Sequence, residues 1–349
     1  MGWADERLLT KTLNITRKNL HIHFKAQNIN TMNFSRLIFA AFVAFLMGCQ
    51  SLTPTAFSSL ADAQVEVIDD RKLHHLFGKK INEMVAEDKV DLASGKELLS
   101  QLKRRSCQLS LPKANRHDPR HDNIYQKSVD HVVMLGRSYR CPKEKCKRLH
   151  WSIASGVLIH PDGIIASNYH VVNAAGKTQA MAAMTRSGEM YGVSEVLAAD
   201  EKSDVAILKL AGAKDLSYAT ITKDEPVGNP VTVISHPNRK FFLLTKGYIS
   251  RYYYREPGVS FMNITADYAK GSSGGPLFNE QGHLIGLVSS TTSLSSRSVQ
   301  LNHVKPGEAQ PEATKKEPLP NKKNVIQQGH QMTLKNCVPS RAILSLIEN

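Results

Sequence analysis

Nowhere in this 349-residue chain does an apolar run reach the length of a bilayer-spanning helix, so a bundle of membrane-spanning helices is excluded. No internal repeat is present, which removes solenoid and propeller arrays. Cysteine is scarce, at five residues. The chain also lacks a striped basic face. Its net charge is +14, from 45 Lys and Arg against 31 Asp and Glu, but the cations are scattered and no basic run is interleaved with aromatics. That pattern reads as solubility and attraction to anionic surfaces, and nucleic acid is not an expected partner. Hydrophobic content of 41% and charged content of 22% are those of an ordinary globular protein with a real core.

The longest apolar run is Leu37–Gly48, inside "MNFSRLIFAAFVAFLMGC", with Arg36 at its start. A positive residue followed by a short apolar stretch is the layout of a secretory signal. Residues 1–31 carry no such signal, and Met32 is a second candidate start. The run ends in "LMGC", which resembles a bacterial lipobox and makes Cys49 a candidate lipidation site. Cleavage after Ala63, in "ADA", is the soluble alternative. Either way, an exported protein of the bacterial cell envelope is expected, lipid-anchored or periplasmic. Processing leaves Cys107, Cys141, Cys146 and Cys337, an even number that suggests disulfides in an oxidising compartment. "CPKEKC" could close a loop between Cys141 and Cys146, leaving Cys107 and Cys337 to pair or stay free. Zinc on Cys141, Cys146 and His150 lacks an obvious fourth ligand, so no metal is assigned.

Residues 1–49 are therefore read as leader and signal, and residues 50–115 as a helical N-terminal segment. In the latter, Leu73, Leu76, Phe77, Ile81, Met84 and Val85 recur at helical steps, and Leu98, Leu99 and Leu102 begin a second group. A small helical hairpin packed on the main domain is the default reading; a prosegment or spacer is the alternative. From about residue 120 the period changes to short β-branched runs punctuated by turns, as in "ASGVLIHPDGIIASN", "VAILKL" and "NPVTVISHP". Gly163 and Gly282 mark turns that need positive φ. Strands without intervening helices predict an all-β core of antiparallel barrels or a sandwich. Residues 304–328 are rich in Lys, Pro, Glu and Gln and read as a polar insertion that buries no core. The final stretch, "MTLKNCVPSRAILSLI", reads as a strand followed by a short helix from Pro339 or Ser340.

Three stretches carry the chemistry: "ASNYHVVNAA" around His170, "EKSDVAILKL" around Asp204 and "KGSSGGPLF" around Ser273. A serine hydroxyl is a poor nucleophile at neutral pH. It needs a base within reach, and the base needs an acceptor that fixes its tautomer. The three residues supply those types in the order His, Asp, Ser. Their contexts resemble the trypsin-like serine proteases, closest to the HtrA-type branch, over roughly residues 125–349, interrupted by the polar insertion. The resemblance implies two antiparallel six-stranded β-barrels with the triad between them. It further implies that Gly271 and Ser273 present backbone N–H groups as an oxyanion hole, and that no cofactor is required. Protein or peptide substrates, unfolded in the family manner, are the implied partners; the oligomeric state is left open.

Position 272 is Ser where the family carries Asn or Asp, so activation by an inserted N-terminus is not expected. No PDZ domain is expected after the peptidase region. Asp267 lies six residues before Ser273, where trypsin carries its specificity carboxylate, and is a candidate substrate-binding residue. Ser272 is the rival nucleophile and Asp200 the rival acid. His150, His160, His236 and His283 lack a motif context and read as surface or structural. The expected function is an exported serine endopeptidase. Its rival is a catalytically silent binding protein of the cell envelope on the same fold.

Overall fold

The computed structural model describes residues 67–87, 92–113, 123–141, 145–146, 148–174, 178–297 and 328–348. The signal segment, Cys49, Ala63 and residues 304–327 of the polar insertion lie outside them. No helix among the described residues is long and apolar enough to cross a membrane.

Helix α1 (Asp70–Ala86) starts where the Asp69 side chain accepts the Lys72 N–H at 2.9 Å, satisfying a free donor of the first turn. Its apolar stripe buries Phe77, Ile81 and Met84. Helix α2 (Gly95–Gln101) begins with a capping box in which Ser94 and Glu97 bond each other's backbone. Both helices pack on the strands that follow. At Gly78 the backbone of α1 lies so close to the Trp151 indole that a Cβ there would sit 2.4 Å from the ring. Beyond α2, β1 (Cys107–Gln108) pairs in parallel with the final strand β14 (Ile347–Glu348), tying the two ends of the described chain together. A short helix, α3 (Ile124–Ser128), leads into the barrels.

Strands β2 (Val132–Arg140), β3 (Leu149–His160), β4 (Ile164–Ser167), β5 (Thr178–Met184), β6 (Met190–Asp200) and β7 (Val205–Leu210) close in the order β2-β3-β4-β7-β6-β5. A second barrel closes β8 (Pro230–Ser235), β9 (Leu243–Glu256), β10 (Val259–Ile264), β11 (Pro276–Phe278), β12 (Leu284–Arg297) and β13 (Gln328–Pro339) in the order β10-β13-β12-β11-β8-β9. All pairings within both barrels are antiparallel, as expected from the short strands and tight turns. Gly163 and Gly282 take positive φ in their turns. Helix α4 (Tyr169–Asn173) follows β4, and α5 (Ser340–Leu344) follows β13 directly after Pro339.

Strand periodicity explains why β2 is buried nearly throughout. Val133 and Leu135 join Leu158, Ile165, Met181 and Leu208 in one cluster. Val132 and Met134 point the other way, into a cluster with Phe77 and Ile81 of α1 and Phe278 and Leu287 of the second barrel. Helix α1 thus shares a core with both barrels. A separate cluster containing Val231, Val233, Met262, Leu277 and Cys337 fills the second barrel.

The cysteines correct one expectation. Cys141 and Cys146 are free thiols, not a disulfide, and Cys107 and Cys337 are likewise unpaired. Cys337 is enclosed in the second barrel's core, whereas Cys107 sits on β1. The Cys146 sulfur lies 3.4 Å from His150 Nε2, and hydrogen bonds from that ring, the Arg148 backbone and the Cys141 thiol pull its pKa down to about 7. Cys141, Cys146 and His150 bring three ligand atoms within 4.8 Å of one another. Among the described residues no fourth ligand joins them.

Candidate active site

The three sequence-designated side chains meet where the barrels face each other. His170 comes from α4, just after β4; Asp204 from the turn before β7; Ser273 from the loop before β11. His170 Nδ1 lies 3.0 Å from both carboxylate oxygens of Asp204, and His170 Nε2 lies 3.0 Å from Ser273 Oγ. The Asp204 side chain is buried and fully engaged. Besides the ring, it accepts the His170 backbone N–H at 3.1 Å and the Ser289 hydroxyl at 2.6 Å. The carboxylate faces Nδ1 and the hydroxyl faces Nε2, the arrangement in which Nδ1–H donates to Asp204 and Nε2 accepts from Ser273.

Asp204 itself takes a left-handed φ of 59°, which is unfavourable for a non-glycine residue. Asn168, buried just before α4, donates from its side-chain amide to the Asp204 carbonyl at 3.0 Å. The rival acid Asp200 has a supporting part in the same turn, accepting the Ser203 N–H at 2.9 Å. The rival nucleophile is also resolved. Ser272 is fully buried and its oxygen accepts from Ser235 at 2.9 Å, whereas His170 Nε2 meets Ser273.

The loop 270–275 answers to both barrels. The Ser155 N–H on β3 donates to the Ser273 carbonyl at 2.8 Å, and the Ser155 hydroxyl donates to the Gly271 carbonyl at 3.0 Å. Gly271 has φ +101°, and a Cβ there would lie 2.5 Å from the His236 carbonyl. Gly274 has φ +78° and presses on the first barrel, where a Cβ would lie 2.2 Å from Ser167 Oγ. Both positions require glycine. Within the loop, Ser272 N–H bonds Ala269 O, Gly274 N–H bonds Val288 O and Gly275 N–H bonds Ser272 O. Among the described residues, the Gly271 and Ser273 N–H groups bond no other backbone carbonyl, leaving two adjacent donors beside the Ser273 hydroxyl.

Asp267 departs from the expectation. Its side chain is 86% exposed and pairs with Lys335 at 3.1 Å, so it does not form the floor of an enclosed pocket. The neighbouring Tyr268 is the buried one. Its hydroxyl lies 2.8 Å from the carbonyl oxygens of both Ser290 on β12 and Asn336 on β13 and donates to one of them, so its ring lies against both strands. The Lys335 ammonium sits over that ring, 5.1 Å from its centre. Sequence reasoning missed Ser155, Asn168, Tyr268 and Ser289. Each is a single unremarkable residue whose partner lies tens of positions away, and no local pattern marks it.

His236 and His131 are structural; His236 is deeply buried and His131 is half-buried. Desolvation drives each pKa from the usual 6.5 down to about 4. His236 accepts the Phe242 N–H on Nδ1 at 3.1 Å, so its neutral form is built into the fold. The sign of the linkage follows. Below pH 6.5 the unfolded chain binds protons that the folded chain refuses until about pH 4, so stability falls as pH drops through that window. At a shift of this size each histidine contributes roughly 3 kcal/mol of acid destabilisation. The melting temperature should be flat above pH 7 and fall between pH 6.5 and 4. His236→Gln should flatten the slope; an unchanged slope in that variant would remove His236 from this account.

With this geometry in view, the relatives are informative. Residues 154–287 match the family model of the trypsin-like peptidase domain. A probable periplasmic serine endoprotease, DegP-like, from Pseudomonas savastanoi pv. phaseolicola is 33% identical over 143 residues, covering 40% of this chain and 29% of its own length. The corresponding protein of Halomonas elongata is 36% identical over 143 residues, with the same coverage. An HtrA-type protease AlgW solved with a decapeptide overlays at TM-score 0.45 and 17% identity, covering 64% of each chain. Residues 154–287 are therefore similar to trypsin-like peptidase domains, and about 40% of the chain is similar to the DegP-like serine endoproteases. The matched stretch spans less than a third of those curated relatives.

Proposed function

We propose that this protein is an exported serine endopeptidase. The observation that carries the reading is the continuous relay Asp204–His170–Ser273, with 3.0 Å spacings on both sides of the imidazole. Ser273 Oγ attacks a peptide carbonyl as His170 Nε2 takes its proton, and Asp204 stabilises the imidazolium that forms. The carbonyl oxygen, now negative, receives the Gly271 and Ser273 N–H groups. His170 then protonates the leaving amine, which departs with the first product. A water molecule, deprotonated by His170, attacks the acyl-serine, and collapse of the second tetrahedral species returns the proton to Ser273.

Export is supported by the Arg36-led apolar segment and by relatives named periplasmic; attachment through a lipid on Cys49 is part of the proposal. The substrates are proteins or peptides presented in extended form. Tyr268 is buried against β12 and β13, where this reading places the wall of the primary specificity pocket, and Asp267 is already paired with the protein's own Lys335. Cleavage therefore follows small uncharged residues rather than Arg or Lys. The test is cleavage of unfolded casein and of a peptide library by the processed protein. Cuts should follow small side chains, Asp267→Ser should leave the profile unchanged, and Tyr268→Ala should admit larger residues. Cleavage after Arg or Lys that is lost in Asp267→Ser would overturn the specificity, and no cleavage of either substrate would overturn the function.

A further inference from the structure

The oxyanion hole depends on the direction of one peptide plane, that between Lys270 and Gly271. In a trans peptide the C=O and N–H point opposite ways, so whatever holds the Lys270 carbonyl also aims the Gly271 N–H. The Lys270 carbonyl accepts from the Asn238 N–H at 2.7 Å. Asn238 belongs to the loop after β8, "HPNRKFF", which is unusual in its backbone. Asn238, Arg239 and Phe242 all take left-handed φ, at 47°, 64° and 54°. Non-glycine residues keep such conformations only where their surroundings over-determine them, and such strain gathers at functional sites.

One support is internal, the Phe242 N–H to His236 Nδ1 bond. The other comes from far away in sequence. Asp70, in the first turn of α1, accepts the Phe241 N–H on Oδ1 at 2.9 Å and meets Lys240 Nζ with Oδ2 at 3.0 Å. The same end of α1 faces this loop at a second point, since the Arg239 charge helps depress the pKa of His74, after burial. Helix α1 is in turn fixed to the barrels through Phe77 and Ile81.

We infer that Asp70 is a positioning residue for the oxyanion hole: α1 holds the 238–242 loop in its strained form, and that loop aims the Gly271 N–H. This rests on the peptidase reading above and adds to it a role for the N-terminal segment. Ser272 leaves no carboxylate beside the nucleophile to anchor the loop from within; a carboxylate from α1 anchors the neighbouring loop from outside.

The experiment compares Asp70→Ala, Asp70→Asn and Asp69→Ala in the processed chain. Asp69→Ala removes the cap of the same helix without touching the loop, and so controls for helix stability. Asp70→Asn keeps an acceptor for Phe241 N–H and gives up only an ion pair whose lysine is well exposed. Because a single oxyanion donor is worth about 100- to 1,000-fold in kcat, partial loss of its aim should lower kcat about tenfold or more in Asp70→Ala, with KM little changed. Asp70→Asn should recover most of that loss, and Asp69→Ala should keep wild-type kcat. Amide hydrogen exchange supplies a readout that needs no activity: segments 236–242 and 270–273 should exchange faster in Asp70→Ala and not in Asp69→Ala. A wild-type protein without peptidase activity overturns the peptidase reading, and exchange still decides whether the two loops are coupled to α1. Unchanged exchange at 270–273 in Asp70→Ala, or equal kcat losses in Asp70→Ala and Asp69→Ala, would overturn the inference.

Discussion

Replacing Ser273 by alanine should lower peptidase turnover by roughly a million-fold, because removing one member of a triad disables the whole relay. His170→Ala should fall to a similar level, and the double variant no further, since neither residue acts without the other. The residual rate reports what the two backbone donors and substrate binding supply alone. The fold should survive both changes. The His170 side chain is half exposed, and the hydrophobic clusters contain neither residue. Steady-state kinetics on a short peptide, with circular dichroism to confirm folding, measures the effect. Ser273→Ala retaining more than a trace of activity would assign the nucleophile elsewhere.

Gly271→Ala should produce the second largest loss. Its φ of +101° is unfavourable for alanine, and the new Cβ would collide with the His236 carbonyl at 2.5 Å. The neighbour is backbone and cannot swing aside as a side chain would, so the Lys270–Gly271 peptide must rotate. Its N–H then leaves the position of the developing oxyanion. A lost donor of this kind lowers kcat by about 100- to 1,000-fold. KM should change little, because the donor acts chiefly on the charge of the transition state. A variant that loses affinity while keeping kcat would show that Gly271 shapes the binding cleft instead.

The sequence disclosed what is local. Turn glycines at 163 and 282, the strand after Asp204 and the helix after Pro339 could be read from short-range pattern because backbone geometry dictates those residue types. The candidate triad could be picked out because each member sits in a stretch whose composition is itself constrained, as Gly271 and Gly274 are by close contact. What stayed hidden depends on folding distant segments together. Ser289 reaches Asp204 across 85 positions, and Asp70 reaches Phe241 across 171. Neither partner changes the local periodicity of its own strand or helix. Asp267 misled for the complementary reason. Spacing from Ser273 fixes where its backbone lies, but the direction of its side chain is set by Lys335 on a strand far along the chain. Cys141 and Cys146 show the same limit, since proximity in sequence brings the two sulfurs together without deciding whether they bond covalently.

The central claim is that the Asp204–His170 pair activates Ser273, and a fluorophosphonate probe tests it most directly. Such a probe bonds covalently to a serine oxygen only when a base has made that oxygen nucleophilic. After brief incubation at neutral pH, peptide mapping by mass spectrometry should place one adduct on Ser273 and none on Ser272, and His170→Ala should abolish it. An adduct on Ser272, or labelling of Ser273 that persists undiminished in His170→Ala, would contradict the account.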